Sequence, residues 1–319
     1  MAHHLTLLQS GIAEMAYAGA TPWHGLGQKV SADASLETWL EEARMQWEIK
    51  SSPVQYTNGS LHDYTDYQVL YRSDSNAPLS VVSDRYKPVQ PKAMIEFFRS
   101  LVEREGFKIE TVGSLKGGRR IWALARTNIE NDVVGKDRVK AYLLLITSCD
   151  GSLATTAKFI STRVVCWNTQ AIALGEDGFE VKVRHNTEFD ASAVKGRMGL
   201  LGGKAFDDFM GRMRNLANVR LTDHDAERVI ASLLPVPSNP TTKIEEAKSF
   251  QTIMCLFRGQ GIGSNLPGVQ GTAWGLLNAV TEYTDHRARA RSTENRLNSA
   301  WFGPGANLKA AAEEALLAL

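Results

Sequence analysis

The segment Lys116-Gly-Gly-Arg-Arg-Ile-Trp122 puts three cations and an indole within seven residues. Gly117 and Gly118 allow a tight backbone turn, which places Lys116, Arg119 and Arg120 near its tip. In a strand after that turn, Arg120, Trp122, Leu124 and Arg126 share one face by the period of two. An aromatic ring between arginines on a sheet suits single-stranded DNA, because rings stack on bases while cations track phosphates. Lys136, Arg138, Lys140, Lys158, Arg163, Lys182 and Arg184, with His185, extend the candidate patch. The competing expectation is a set of solvated strand faces with Trp122 in the core.

Other constellations are less specific. Trp23-His24 sits among glycines, where a histidine can ligate a metal or act as a base, but a tight turn with a docked tryptophan is the commoner use. Cys166 has no histidine at nucleophile-base spacing and is expected in the core. Asp223-His-Asp225 looks like a metal cluster, yet Thr222 and Asp225 stand three apart before an apolar run, which predicts a helix cap. Gly259-Gln-Gly-Ile-Gly263 lacks the lysine of a phosphate loop and is expected to be a plain loop. In Asp285-His-Arg-Ala-Arg-Ala-Arg291, Asp285 with Arg289 and Glu282 with His286 stand four apart and can pair, while the arginines could instead meet phosphates. A metal-dependent nuclease or other hydrolase would have to use scattered groups such as Asp150, His185 and His286, none at ligand spacing. No cofactor and no metal are expected.

The chain has 319 residues, three cysteines without a CxxC pair, and no apolar run long enough for a membrane span. These features predict a reduced, cytoplasmic, non-membrane protein. Net charge is +1 but unevenly distributed: −4 over residues 1–105, +6 over 106–220 and −1 over 221–319.

The elements that must position the basic residues follow from periodicity. Helices are expected at 36–46, 91–103, 192–218, 223–234, 243–257, 272–291 and 307–318. Strands are expected at 47–56, 67–72, 79–83, 107–112, 120–126, 139–147 and 155–165. Asn58-Gly59, Lys116-Gly-Gly118 and Asp150-Gly151 supply the turns, and consecutive hairpins imply an antiparallel sheet. The fold class is therefore α+β: an antiparallel sheet with packed helices, followed by a mostly helical C-terminal part. Three units are expected: an extended arm over 1–34, an α+β core over 35–234, and a helical region over 241–319. Leu234-Pro-Val-Pro-Ser-Asn-Pro240 would link the last two.

Six motifs stand in a fixed order: Pro22-Trp-His-Gly-Leu-Gly27, Asp84-Arg-Tyr-Lys-Pro-Val-Gln90, Gly113-Ser-Leu-Lys-Gly-Gly-Arg119, Cys149-Asp-Gly-Ser152, Arg163-Val-Val-Cys-Trp-Asn-Thr169 and Asn278-Ala-Val-Thr-Glu-Tyr-Thr-Asp-His286. This set resembles the phage/plasmid-like family of unknown function. The chain departs from the family's pattern at Cys149, where a histidine is usual, and at Trp167, where glutamine is commoner. The resemblance implies a mobile-element role without a mechanism. In outline the strand-strand-strand-helix order is similar to phage single-strand annealing proteins, a fold-level analogy. The expectation is a non-enzymatic single-stranded DNA-binding or annealing protein for recombination. A hydrolase, or an assembly protein with no nucleic-acid role, are the alternatives. A homo-oligomer contacting through Trp23 is also expected, because apolar residues in an aperiodic chain end must dock or fray.

Overall fold

Alternating apolar and polar residues broken at glycine turns build two sheets, and amphipathic helices cover the larger one. The computed structural model describes residues 6, 8, 10–19, 26–163, 169–171, 180–199, 202–236, 243–290 and 293–319. Strands β1 (Met15–Tyr17) and β2 (Gln28–Lys29) come first, then helix α1 (Leu36–Glu42). A three-stranded sheet follows: β3 (Ile49–Asn58), β4 (Ser60–Arg72) and β5 (Pro78–Ser83). Helix α2 (Pro91–Glu105) leads into β6 (Lys108–Leu115), β7 (Arg120–Asp132), β8 (Arg138–Ser148), β9 (Thr155–Arg163), β10 (Thr169–Ala171) and β11 (Val181–Val183). Helices α3 (Ala191–Gly199), α4 (Gly202–Asn218), α5 (Asp223–Leu233), α6 (Lys248–Cys255), α7 (Ala273–Glu282), α8 (Thr293–Phe302) and α9 (Pro304–Leu317) complete the chain.

The large sheet runs β10-β9-β8-β7-β6-β1-β2, with β11 also paired to β9. Every pairing is antiparallel except β1 with β2. One face carries Ile121, Ala123 and Ala125 of β7, with Leu143 and Leu145 of β8 and Phe159 of β9. These residues join Phe97 and Phe98 of α2, Phe206 and Phe209 of α4, and Leu276 and Leu316 farther on, in one continuous apolar cluster. The opposite face holds a smaller cluster of Met15, Tyr17, Leu115, Trp122, Tyr142, Leu144 and Ile146, with Trp301 against it. Helix α2 begins at Pro91 and ends on Gly106 in the left-handed conformation, as its sequence predicts.

The fold is α+β, with helices dominating the C-terminal part. Within the extended arm expected over residues 1–34, Met15–Tyr17 is a buried strand, with Met15 opposite Gly113 on β6. Three residues are too few to display a period. Helices α7 and α9 of the C-terminal region contribute to the same cluster as the sheet. The helix expected at 192–218 is two, α3 and α4, and α8 has too weak an apolar stripe to be read from sequence. No helix among the described residues is long and apolar enough to cross a membrane.

Candidate nucleic-acid interface

Antiparallel pairing brings the β6–β7 turn, the β8–β9 turn and the segment after β5 to one end of the large sheet. Leu115 faces Arg120, which faces Ser148, so residues 116–118 and 149–154 lie at the same end. The amide of Cys149 donates to the carbonyl of Arg119 at 2.9 Å, joining the two turns. Tyr86 Oη donates to the carbonyl of Ser148 at 2.8 Å, and Ser80 Oγ donates to that of Cys149. Three of the ordered motifs, Asp84–Gln90, Gly113–Arg119 and Cys149–Ser152, therefore meet in space.

His185 locks a fourth piece onto this end. Its ring stacks on Tyr86 at 4.6 Å between centroids, Nδ1 meets the carbonyl of Lys87 at 3.1 Å, and Nε2 meets that of Leu153 at 3.1 Å. This places neighbouring Arg184 beside Lys87 and the β8–β9 turn.

Beneath the surface lies a buried ion network. Glu14 is fully buried and accepts from Arg72 Nη1 at 3.0 Å, from Arg72 Nη2 and from Ser114 Oγ. Arg72 also bonds Asp74 at 2.7 Å, donates to the carbonyl of Gly117 at 3.4 Å and covers the Trp47 ring at 4.1 Å. Gly118, at φ 97°, lies against that ring: an added Cβ would stand 2.9 Å from Trp47. A side chain here would have to displace a packed indole. The turn's shape is thus fixed from below, which leaves Lys116 and Arg119 outside.

The groups with nucleophilic or acid–base potential at this end are held in place. Burial pushes the Cys149 thiol up to about 12 and the Tyr86 hydroxyl up to about 12, so neither ionises near neutrality. Burial would raise the Asp150 carboxyl, but hydrogen bonds from Ser152 outweigh it and hold the group below its ordinary range. Arg120 Nη2 donates to Ser152 Oγ at 2.9 Å. No group of three or more His, Cys, Asp or Glu side chains among the described residues could hold a metal ion.

The exposed charge here is cationic. Arg85, Lys87, Lys116, Arg119 and Arg184 are all exposed, and none makes an ion pair among the described residues. Against them stand exposed Asp84, Asp74 held by Arg72, and Asp150 held by Ser152. We call this surface the ledge.

The structure divides the sequence-predicted patch. Lys116, Arg119 and Arg184 lie on the ledge. Lys182, at the same end, pairs with Glu180. Arg120, Trp122, Leu124 and Arg126 do share a face, but Trp122 is only 2% exposed. Its ring covers Gly113, where an added Cβ would stand 2.3 Å away, and Nε1 donates to Thr111 Oγ1 at 3.3 Å. The ring therefore has no face to offer a base. Arg120 is buried, and buried Lys158 donates to the carbonyl of Trp301, so the C-terminal helices cover what looked like an open face. Burial pulls the Lys158 ammonium down to about 8.

Arg126 meets Glu110 at 3.7 Å, Lys140 meets Glu130 at 3.8 Å, and Arg138 binds Glu130 and Asp132 at 2.9 Å each. Lys136 is exposed in the β7–β8 turn, and Arg163 sits opposite Val139, both at the far end of the sheet. Trp23, His24, Cys166, Trp167 and the segment 237–242 lie outside the described residues. Arg85 and Lys87 were missed because they fall in the acidic first third, where net charge conceals two cations of one motif.

Elsewhere the candidate clusters have structural partners. Thr222 and Asp225 form the predicted reciprocal cap, and the bonds from Thr222 hold the Asp225 carboxyl down to about 2. Asp285 binds buried Lys309 at 2.8 Å rather than Arg289, and Glu282 binds Arg287 at 2.9 Å rather than His286.

A family model described as a domain of unknown function, DUF932, matches residues 78–301. No curated protein and no solved structure matches the chain.

Proposed function

We propose that this chain, which belongs to the DUF932 family, binds single-stranded DNA through its ledge and performs no chemistry of its own. The observation that carries the reading is the group of five exposed cations, Arg85, Lys87, Lys116, Arg119 and Arg184, at one sheet end, with no carboxylate partner among the described residues. Unpaired surface cations contribute little to folding but much to polyanion affinity. Their support is rigid: the buried Glu14–Arg72 pair sets one turn, and the Tyr86–His185 stack sets the other side. A fixed ledge holds phosphates without the entropy cost of ordering a loop. The phosphates would lie along the ledge with bases outward, available for pairing, in a recombination or annealing role on a mobile element in the cytoplasm.

The test is binding of a fluorescent oligonucleotide across a salt series. Each phosphate contact adds roughly 0.7 to the slope of log affinity against log salt for single strands. With all five cations engaged, the wild-type chain is expected to give a slope of about 3.5, and the Lys116→Ala/Arg119→Ala variant, two contacts fewer, a slope lower by about 1.4. Equal slopes for the two proteins would remove the ledge from the site.

A further inference from the structure

From Ser51 to Tyr71 the chain has no lysine or arginine and carries Asp63 and Asp66. This stretch is most of the β3–β4 ribbon, whose outer part pairs Val54 with Tyr64, Tyr56 with His62 and Asn58 with Ser60. Val54, Tyr56, His62 and Tyr64 share one face. Tyr56 stacks on His62 at 5.3 Å, and Tyr64 on Tyr67 at 5.4 Å. On the other face Gln55 Nε2 donates to Asp63 Oδ1 at 2.7 Å. These residues stand open to solvent: Tyr56 is 53%, Leu61 63% and Tyr64 46% exposed. A two-stranded ribbon in water on both faces is marginally stable, and clustered exposed rings mark a contact surface.

The β4 edge is open as well. Pairing with β5 begins only at Tyr67, so Leu61 through Asp66, including both aspartates, have no strand on their outer side among the described residues. An open edge is a template for another chain. The root is pinned where Gln68 Nε2 donates to the carbonyls of Ser83 at 3.2 Å, Asp84 at 3.3 Å and Tyr86 at 3.3 Å.

We infer that the ribbon docks along its β4 edge on the ledge of a second copy of this chain. Charge complementarity selects the occupant. A ribbon with two carboxylates and no lysine or arginine repels phosphates, whereas the ledge offers five cations with no ion pair among the described residues. Reciprocal exchange of ribbons closes a two-fold contact that covers both ledges. If the ledge also holds single-stranded DNA, which rests on the function proposed above, then DNA and the neighbour's ribbon compete for the same cations.

A charge swap on the full chain tests this by light scattering at low and high salt. The wild type is expected to be a dimer that weakens with salt. Asp63→Lys/Asp66→Lys and Lys116→Asp/Arg119→Asp are each expected to be monomers with an unchanged thermal midpoint, and their mixture to recover a mixed dimer. A monomeric wild type, or a dimer indifferent to both variants, overturns the inference. Loss of DNA binding by Lys116→Asp/Arg119→Asp with the dimer intact leaves the function standing and sinks the ribbon exchange. A dimer that obeys the swap in a protein that binds no DNA does the reverse. Weaker DNA binding by Tyr56→Ser/Tyr64→Ser with unchanged size would make the ribbon a nucleic-acid contact and also overturn it.

Discussion

The two ends of the large sheet are built from the same residue types and differ in what their cations meet. At the far end Arg138 lies between Glu130 and Asp132, and Lys140 shares Glu130, so neighbouring strands neutralise one another. At the ledge end Glu14 is buried against Arg72, Asp74 is held by Arg72 and Asp150 by Ser152, while Asp84 is exposed. The cations above them make no ion pair among the described residues. Three cations from the middle third and two from the acidic first third thus give a candidate binding surface at the ledge end. A charge count along the chain is blind to this, because it sums residues that folding either pairs or separates.

The largest expected effect breaks the ledge from below. Removing the carboxylate in Glu14→Ala leaves the buried Arg72 guanidinium short of a partner and should cost about 3–5 kcal/mol in urea unfolding. A loss under about 1 kcal/mol would mean that Asp74 alone satisfies Arg72. Trp122→Ala should cost a similar amount, about 3–5 kcal/mol, through the cavity it opens over Gly113. The same variant, measured where it is folded, should keep the wild-type salt slope; a reduced slope would return Trp122 to the binding surface.

Paired double variants sharpen the contrast between the ends. Lys116→Ala/Arg119→Ala should weaken DNA binding more than ~10-fold, whereas Arg138→Ala/Lys140→Ala should change it less than ~2-fold, since pairing with Glu130 and Asp132 already neutralises both. Equal losses would dissolve the distinction.

A smaller effect is set by pH. The Cys149 thiol ionises near 9 when unfolded and near 12 when folded, because burial disfavours the thiolate. The folded state then holds more protons above pH 9, so stability falls as pH rises from 9 towards 12. The fall should reach at most about 1.4 kcal/mol per pH unit. A stability–pH curve of Cys149→Ala should lack that component. Curves that run parallel from pH 9 to 11 would show the thiol reaches solvent. Least of all, Arg138→Ala alone should leave the thermal midpoint unchanged, and a clear drop would give the far-end pairs a structural role.

Local sequence was enough for much of the fold. The Asn58-Gly59, Gly117-Gly118 and Asp150-Gly151 turns are specified by backbone freedom at adjacent residues. The Thr222–Asp225 cap and the Pro91-to-Gly106 limits of α2 are set within a few residues too. The shared face of Arg120, Trp122 and Arg126 follows from strand period alone. Which side of that face meets water does not follow, because it depends on Trp301 and the C-terminal helices, about 180 residues later in the chain. The same holds for Glu14 and Arg72, which are 58 residues apart, and for Tyr86 and His185, whose stack brings Arg184 to the ledge. Pairing of distant charges is decided by packing geometry, since Coulomb attraction and its desolvation cost depend on distance and burial rather than sequence separation. The sequence therefore determined the turns, the periods and the positive charge of the middle third, and only the tertiary structure decided which cations remained unpaired in water.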